Sequence, residues 1–170
     1  LLREWWTALV ALGAAAEVVD PQRGPAHRER RLLLTADPRL EHDLITALLL
    51  PPFGAQSALG IAHVARTPAD APIVNVAVCV HFDEAGKVRS AMAALGGVGA
   101  SPVTGHVLGS LSCWLLNAEP ALAAAEETAA HLSPPDDYLG SGDYRQAMAA
   151  VCLARALERC IPLQTMAQGH

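Results

Sequence analysis

The chain has 170 residues, a length that can bury a substantial hydrophobic core. Hydrophobic residues make up 52% of it and charged residues only 17%, which excludes an intrinsically disordered chain. Its net charge of −5 argues against a nucleic acid as partner, because phosphate contacts need a basic surface. No uninterrupted apolar run approaches the roughly 20 residues that cross a bilayer, so the sequence predicts no membrane association.

The four cysteines, at positions 79, 113, 152 and 160, are widely spaced and form no CxxC pair. This spacing argues against an iron–sulfur or structural zinc site made by this chain alone. The seven histidines show no HxxxH or HxH spacing, so no metal is expected on this chain. Cysteines within apolar runs are typical of buried thiols, and free thiols fit a reducing cytoplasm.

The first 67 residues predict one helix and four strands. Apolar residues at helical spacing, ending at a glycine, indicate a helix over residues 2–13. Short apolar runs bounded by proline, aspartate or glycine indicate strands at 14–19, 31–34, 43–50 and 58–67. Pro68 and Asp70 then interrupt the pattern, and a break at residues 68–72 would separate two lobes.

The second part of the chain predicts a hairpin followed by helices. Residues 73–82 form a strongly β-type run, a turn follows at 83–86, and residues 87–95 return antiparallel. Helices are predicted over 104–115 and 119–132, the second of them rich in alanine and capped near Asn117. Strands first and helices at the end favour an α+β fold over a wound parallel sheet.

The last helix begins after a proline stop and an acidic turn. The two prolines at positions 134 and 135 end whatever precedes them. Ser141 or Asp143 can cap the new helix, which runs to Arg159. One stripe at helical spacing is predicted to face the core: Tyr144, Ala147, Met148, Val151 and Cys152.

The Tyr-Arg pair at the start of this helix has a structural interpretation. Tyr144 can bury its ring while its hydroxyl finds a partner, and Arg145 can pair with Asp136 or Asp137. As a string of residues, however, the segment 133–159 resembles the C-terminal segment of the FAD-carrying subunits of molybdenum hydroxylases. This is the group of CO dehydrogenase, xanthine dehydrogenase and aldehyde oxidase. The shared pattern is proline, an acidic pair, small residues, Tyr-Arg and an alanine-rich helix.

Three further segments are similar to the same family. They are ALVALGA at residues 8–14, DLITALLLP at 43–51 and HVARTPAD at 63–70. Each is a weak match alone. Together with the Tyr-Arg segment they form landmarks in the family's order that span nearly the whole chain.

The resemblance implies a division of the chain. Residues 1–67 would be the latter part of a flavin-binding lobe. Residues 72–165 would be a small C-terminal lobe, a three-stranded antiparallel sheet packed by helices. The family's upstream lobe, whose glycine-rich loops hold the FAD pyrophosphate, is expected to be absent. The glycine cluster at 96–99 lacks the G-x-G-x-x-G order and is expected to be a tight turn instead of a phosphate site.

The resemblance also implies three flavin contacts, and each keeps a second interpretation. Glu4 falls where the family has an aspartate that helps to hold the flavin, or it is a solvated acid of the first helical turn. Ile45 would pack on the edge of the isoalloxazine ring, or belong to ordinary strand core. His63 replaces a lysine that donates to the flavin N1/O2 region, and a neutral histidine does so less well. That replacement also favours a weakened or lost flavin site.

Two functions follow. The first is the flavoprotein component of a multi-subunit molybdenum hydroxylase, passing electrons from iron–sulfur centres through FAD to an acceptor. Its partners would be an iron–sulfur subunit and a molybdopterin subunit, with a homodimer as a further option. The second is a truncated or degenerate homologue that binds no FAD and serves as an interaction domain. An unrelated α+β enzyme with its own pocket is a third hypothesis. No catalytic residue is predicted on this chain.

Overall fold

The computed structural model describes residues 2–20, 22, 28–32, 44–99 and 103–161. In chain order its elements are helix α1 (Leu2–Ala11), strands β1 (Ala15–Val19), β2 (Arg28–Leu32), β3 (Leu44–Leu49), β4 (Ser57–Val64), β5 (Val74–Phe82), β6 (Val88–Gly96) and β7 (Val103–Val107), and helices α2 (Ala118–Ala130) and α3 (Gly142–Glu158). A short 3-10 helix, Gly109–Leu111, follows β7. None of the helices in these ranges has the length and apolarity needed to cross a membrane.

Two antiparallel sheets organise the strands, and the mixture with helices confirms the predicted α+β class. One sheet has the order β2-β1-β3 and the other the order β4-β5-β6-β7. The three-stranded C-terminal sheet is not confirmed, because β4 pairs along its whole length with β5 and adds a fourth strand. The predicted break at 68–72 lies in the connection between these two paired strands. The division into lobes 1–67 and 72–165 stays a prediction.

Strand β5 lies between the two hydrophobic cores. A strand sends alternate side chains to opposite faces, and every residue of β5 except His81 is buried. Val76 and Val78 belong to the core that contains α2 and α3. Ala77 and Cys79 belong to the core that contains α1 and β1. The continuous apolar run seen in the sequence is therefore the pattern of a strand covered on both faces.

Helix α3 approaches β4 closely at Gly60. A Cβ atom placed on Gly60 would lie 1.8 Å from the carbonyl oxygen of Ala156. Any larger residue at position 60 would collide with the helix backbone. Gly60 therefore sets the distance between the helix layer and the four-stranded sheet.

The helix predicted over 104–115 is wrong. Strand β7 and the 3-10 helix occupy this stretch, and β7 pairs antiparallel with β6. Gly105 and Gly109 each lower helix propensity by about 1 kcal/mol relative to alanine. The β-branched residues Val103 and Val107 favour a strand. The edge of β6 supplies the hydrogen-bonding partner for residues 103–107, and this pairing stabilises a strand over a helix. Of the strand predicted at 31–34, residues 31 and 32 belong to β2, which begins at Arg28, and residues 33 and 34 lie outside the described residues.

The predicted helix caps are confirmed. The Asn117 side chain accepts a hydrogen bond from the backbone N–H of Glu119 at 3.2 Å, and that of Ser141 accepts one from Tyr144 at 3.2 Å. Of the two candidates at α3, Ser141 is therefore the cap. Asp143 lies in the first turn, where its negative charge interacts favourably with the positive end of the helix dipole.

The core-facing stripe of α3 differs from the predicted one. Of the predicted residues only Cys152 is fully buried, and Tyr144, which was expected to bury its ring, is 41% exposed. The buried residues of the helix are Arg145, Ala149, Cys152, Leu153, Ala154, Ala156 and Leu157. Arg145 turns inward because its guanidinium finds hydrogen-bond acceptors beneath the helix, and the rest of the stripe follows at helical spacing.

Arg145 connects three segments of the fold. Its side chain is buried, and Nη1 donates to the carbonyl oxygens of Ile73 at 3.2 Å and Gly97 at 2.8 Å. Nη2 donates to Oδ1 of Asp137 at 2.5 Å, which confirms the predicted pairing with an acid of the preceding turn. One guanidinium thus holds the start of α3 against the segment before β5, the turn after β6 and the acidic turn.

Asp137 organises the acidic turn in return. Its Oδ1 accepts from the backbone N–H of Leu139 at 2.8 Å and of Gly140 at 3.3 Å. The Leu139 N–H, and after it the Arg145 guanidinium, hold the pKa of the Asp137 carboxyl below its ordinary value. The carboxylate is therefore the form that the fold requires.

Replacing Gly60 with alanine is expected to lower the free energy of unfolding by about 3 kcal/mol, because the new methyl group collides with the α3 backbone. Gly109→Ala is the matched control, since a Cβ atom there meets nothing within 4 Å. Urea unfolding followed by circular dichroism measures both variants. Equal stability of the two would contradict the close approach of α3 to β4.

Arg145→Lys is expected to destabilise the protein by about 2 kcal/mol. The compact ammonium keeps the charge but cannot reproduce the planar fork of donors, so buried carbonyl groups lose their partners. Arg155→Lys, on the exposed side of the same helix, should change stability by less than about 0.5 kcal/mol. The same unfolding assay compares them, and an equal effect at both positions would refute the proposed role of Arg145.

Asp137→Asn tests the pH dependence of the fold. Because the pKa of Asp137 is lowered in the folded protein, its stabilisation is complete above the ordinary carboxyl pKa and is lost as pH falls through the folded-state pKa. The variant should therefore be less stable than the wild type at neutral pH and converge with it in acid. Unfolding curves across this range measure the difference. Glu84→Gln, which removes the same charge from the β5–β6 turn, should leave the acid dependence unchanged.

Candidate functional site

A buried hydrogen bond joins α1 to the four-stranded sheet. The side-chain amide of Asn75, in β5, donates to Oγ1 of Thr7, in α1, at 2.5 Å, and both residues are buried. Gly96 lies opposite Asn75 on β6, and a Cβ atom there would come within 2.2 Å of the Asn75 side-chain oxygen. The missing side chain at Gly96 makes room for the amide. This contact ties α1 to β5 through a buried polar pair.

His63 lies beside this hydrogen bond. It is directly opposite Asn75 in the β4–β5 register, so both side chains are on the face of the sheet that α1 covers. The imidazole of His63 is exposed. Glu4 belongs to the first turn of α1, one helical turn before Thr7, and its side chain lies outside the described residues. The contacts of the described residues link His63 to Asn75 and Asn75 to Thr7.

Ile45 belongs to the other sheet. It lies opposite Val18 in the β1–β3 register, and Val18 packs in the core that also contains α1. Ile45 is 39% exposed, because β3 is an edge strand. It is therefore not an ordinary core residue. Leu44 and Leu48, near the two ends of β3, are also exposed.

Three residues of this region were not singled out in the sequence. Thr7 and Asn75 form the buried contact described above, and Ile61 is 36% exposed on the same strand face as His63, two residues before it. An asparagine inside the apolar run 73–82 marks a position where a buried polar group needs a partner. The partner itself, Thr7, is distant in sequence and could not be read from the pattern.

The glycine cluster at 96–99 is a tight turn, as predicted. Gly97 has φ of +81°, and a Cβ atom on it would lie 2.2 Å from the carbonyl oxygen of Ile73. The Gly97 carbonyl itself accepts from Arg145. Glycine is therefore required at position 97 by its backbone conformation and by the close approach of the Ile73 carbonyl.

A second polar cluster lies at the opposite end of β4. Oγ of Ser57 is 2.9 Å from Nδ1 of His81, and Nε2 of His81 is 3.6 Å from Sγ of Cys79. The cluster borders an open cleft of about 670 Å³ that Arg89 also lines. Burial raises the pKa of the Cys79 thiol, so it is not an activated nucleophile. In the part of the chain that the structure describes, no group of three or more His, Cys, Asp or Glu residues could hold a metal ion.

The fold is similar to that of three solved enzymes. CO dehydrogenase from Oligotropha carboxidovorans, in a reconstituted form, superposes with a TM-score of 0.75 at 25% identity, over 92% of this chain and 56% of that one. CO dehydrogenase from Hydrogenophaga pseudoflava superposes with a TM-score of 0.75 at 22% sequence identity, over 93% of this chain and 56% of that one. Quinoline 2-oxidoreductase from Pseudomonas putida 86 superposes with a TM-score of 0.73 at 20% sequence identity, over 97% of this chain and 57% of that one.

The chain thus spans little more than half of each of these three solved chains. No curated protein sequence matches it. The sequence model of the CO dehydrogenase flavoprotein C-terminal domain matches residues 61–160, well over half of the chain. The chain therefore belongs to the CO dehydrogenase flavoprotein family, as its Tyr-Arg segment and the order of its landmarks predicted.

Proposed function

We propose that this chain supplies one wall of a flavin site in the flavoprotein component of a molybdenum hydroxylase. The observation that carries the proposal is the family match, together with exposed side chains at one end of the sheet that suit a flavin ring. Bound FAD would accept electrons from iron–sulfur centres and pass them to an external acceptor. The partners would be an iron–sulfur subunit and a molybdopterin subunit, and the assembly would lie in the cytoplasm.

The exposed residues fit the ring part of the cofactor. Ile61 and His63 share one strand face, and Ile45 adds an exposed aliphatic surface on the other sheet. An apolar surface with a few polar groups is what a planar aromatic ligand needs. In this proposal Ile45 packs on the isoalloxazine edge, His63 donates to its N1/O2 region and Glu4 accepts a hydrogen bond. The Thr7–Asn75 contact holds α1 and β5 in place for them.

The phosphate part of the cofactor has no corresponding cradle among the described residues. The glycine turn at 96–99 is filled by Asn75 and by the carbonyl of Ile73. The chain's contribution to FAD binding would therefore be to the ring alone. Residues 1–67 would form the end of the flavin-binding lobe, and residues 72–165 the C-terminal lobe, with the β4–β5 pairing holding them together.

Flavin binding by the purified chain tests the proposal. The visible absorption band of oxidised flavin should shift when FAD is added, and riboflavin should bind with similar affinity, because the contacts are made to the ring. Binding of FAD but not of riboflavin would refute the ring-only contribution. If neither ligand binds, the chain acts as an interaction domain without FAD, which is the second function that the sequence suggested.

His63→Lys is expected to tighten flavin binding about fivefold. A lysine restores a charged donor at the ring edge, and a charge-assisted hydrogen bond is worth roughly 1 kcal/mol more than a neutral one. His131→Lys, which adds the same charge at the C-cap of α2, should leave the affinity unchanged. Titrations with riboflavin monitored by flavin fluorescence compare the two variants. If His63→Lys binds riboflavin no more tightly than the wild type does, His63 does not contact the flavin ring.

A further inference from the structure

An exposed aromatic residue lies far along the chain from the flavin-facing residues. Trp114, in the segment between the 3-10 helix and α2, is 64% exposed. Leu115, next to it, is 48% exposed. Adjoining exposed apolar side chains mark contact sites more often than isolated ones do. Tryptophan in particular is enriched at protein interfaces.

The backbone holds Trp114 in place. Its N–H donates to the carbonyl oxygen of Leu111 at 3.2 Å, and its own carbonyl accepts from the N–H of Val88 at 2.8 Å. The neighbouring N–H of Cys113 donates to the Val88 carbonyl at 2.8 Å. The segment is therefore tied to the start of β6. A side chain presented by an ordered backbone loses less entropy on binding.

Trp114 lines a groove of about 370 Å³ with Pro120 and Ala123, and two carboxylate residues, Glu119 and Glu127, line the same groove. We call it the Trp114 groove. The charged residues of α2 are Glu119, Glu126 and Glu127, and the helix contains no lysine or arginine. Lys87, bridged to Leu115 through the backbone, does not line the groove. The groove therefore combines an apolar floor with acidic walls.

The groove continues into a second cavity. Ser110 and Glu127 line both, and the second, of about 230 Å³, is also lined by His106 and His131. Nε2 of His106 is buried without a hydrogen-bond partner among the described residues. Buried polar atoms ordinarily have partners, so this wall is where a bound group would supply one. Two joined cavities along α2 suit an extended chain better than a single ion.

We propose that the Trp114 groove and the cavity that continues it bind an extended, arginine-containing segment of a protein partner. A guanidinium would stack on the Trp114 ring beside the carboxylates of Glu119 and Glu127. Arginine is the cation that pairs best with an aromatic face and a carboxylate together. Acidic walls complement such a segment and repel an acidic one. The proposal does not depend on flavin binding.

The probe is a short blocked peptide with two arginines flanking a leucine, and its counterpart carries glutamates in place of the arginines. Each is titrated into the full chain, with the tryptophan indole N–H signals observed by NMR. The arginine peptide should shift the Trp114 signal and leave those of Trp5, which is 68% exposed, and Trp6 in place. The glutamate peptide should shift none of the three. An equal response of Trp114 and Trp5, or binding of the glutamate peptide, would overturn the proposal.

Variants distinguish binding of the peptide in the groove from its general attraction to a negatively charged protein. Trp114→Leu should lower the affinity for the arginine peptide about two- to fivefold, which corresponds to the free energy of an exposed cation–π contact. Glu119→Gln combined with Glu127→Gln should lower the affinity for the arginine peptide about three- to tenfold. Glu126→Gln is the matched control, since Glu126 is exposed on the same helix and does not line the groove.

The control should change the affinity by no more than about 1.5-fold at physiological salt. All of the substituted side chains are exposed, and a thermal unfolding curve for each variant checks that the fold is kept. If Glu126→Gln weakens the peptide as much as either groove substitution does, the attraction is that of net charge alone. That result, or affinity unaffected by Trp114→Leu, would overturn the proposal.

Discussion

The buried guanidinium of Arg145 is the contact on which the C-terminal arrangement depends. It joins the start of α3 to the carbonyl groups of Ile73 and Gly97 and to the carboxylate of Asp137. A buried charge is tolerated only when it is paired and fully hydrogen-bonded, so these segments have to meet in one geometry. The same requirement rotates α3 and fixes which of its faces is buried. In this family member the Tyr-Arg segment is therefore a structural clamp.

That clamp and the Thr7–Asn75 hydrogen bond act on opposite faces of the same sheet. Arg145 holds α3 over one face, where Gly60 lets the helix come close. Thr7 and Asn75 hold α1 over the other. Because β5 contributes alternate side chains to both cores, the two helices are fixed relative to each other through one strand. His63 lies at the end of the sheet beside Asn75, where these two contacts meet on β5 and its neighbours.

The candidate site was predictable in part. His63 and Glu4 came from a resemblance between strings of residues, and the fold places His63 opposite Asn75, the partner of Thr7 in α1. Ile45 was also open to a core interpretation, and only the folded chain shows that its side chain is exposed. Thr7 and the Trp114 groove could not be foreseen, because both arise from residues that meet only after folding. The flavin roles of Glu4, Ile45 and His63 themselves stay predictions.

The sequence by itself determined the α+β class, the β5–β6 hairpin, the cap at Asn117 and the family. It narrowed the cap of α3 to Ser141 or Asp143 and the partner of Arg145 to Asp136 or Asp137, and the structure selected Ser141 and Asp137. Each of these rests on local propensity, on contacts a few residues apart or on a recognisable order of residues. Only the tertiary structure decided that residues 103–107 form a strand, that β4 completes a four-stranded sheet and that Arg145 leads the buried stripe of α3. Those outcomes depend on a strand edge, a helix backbone or a set of carbonyl groups supplied from far along the chain. No local pattern contains that information.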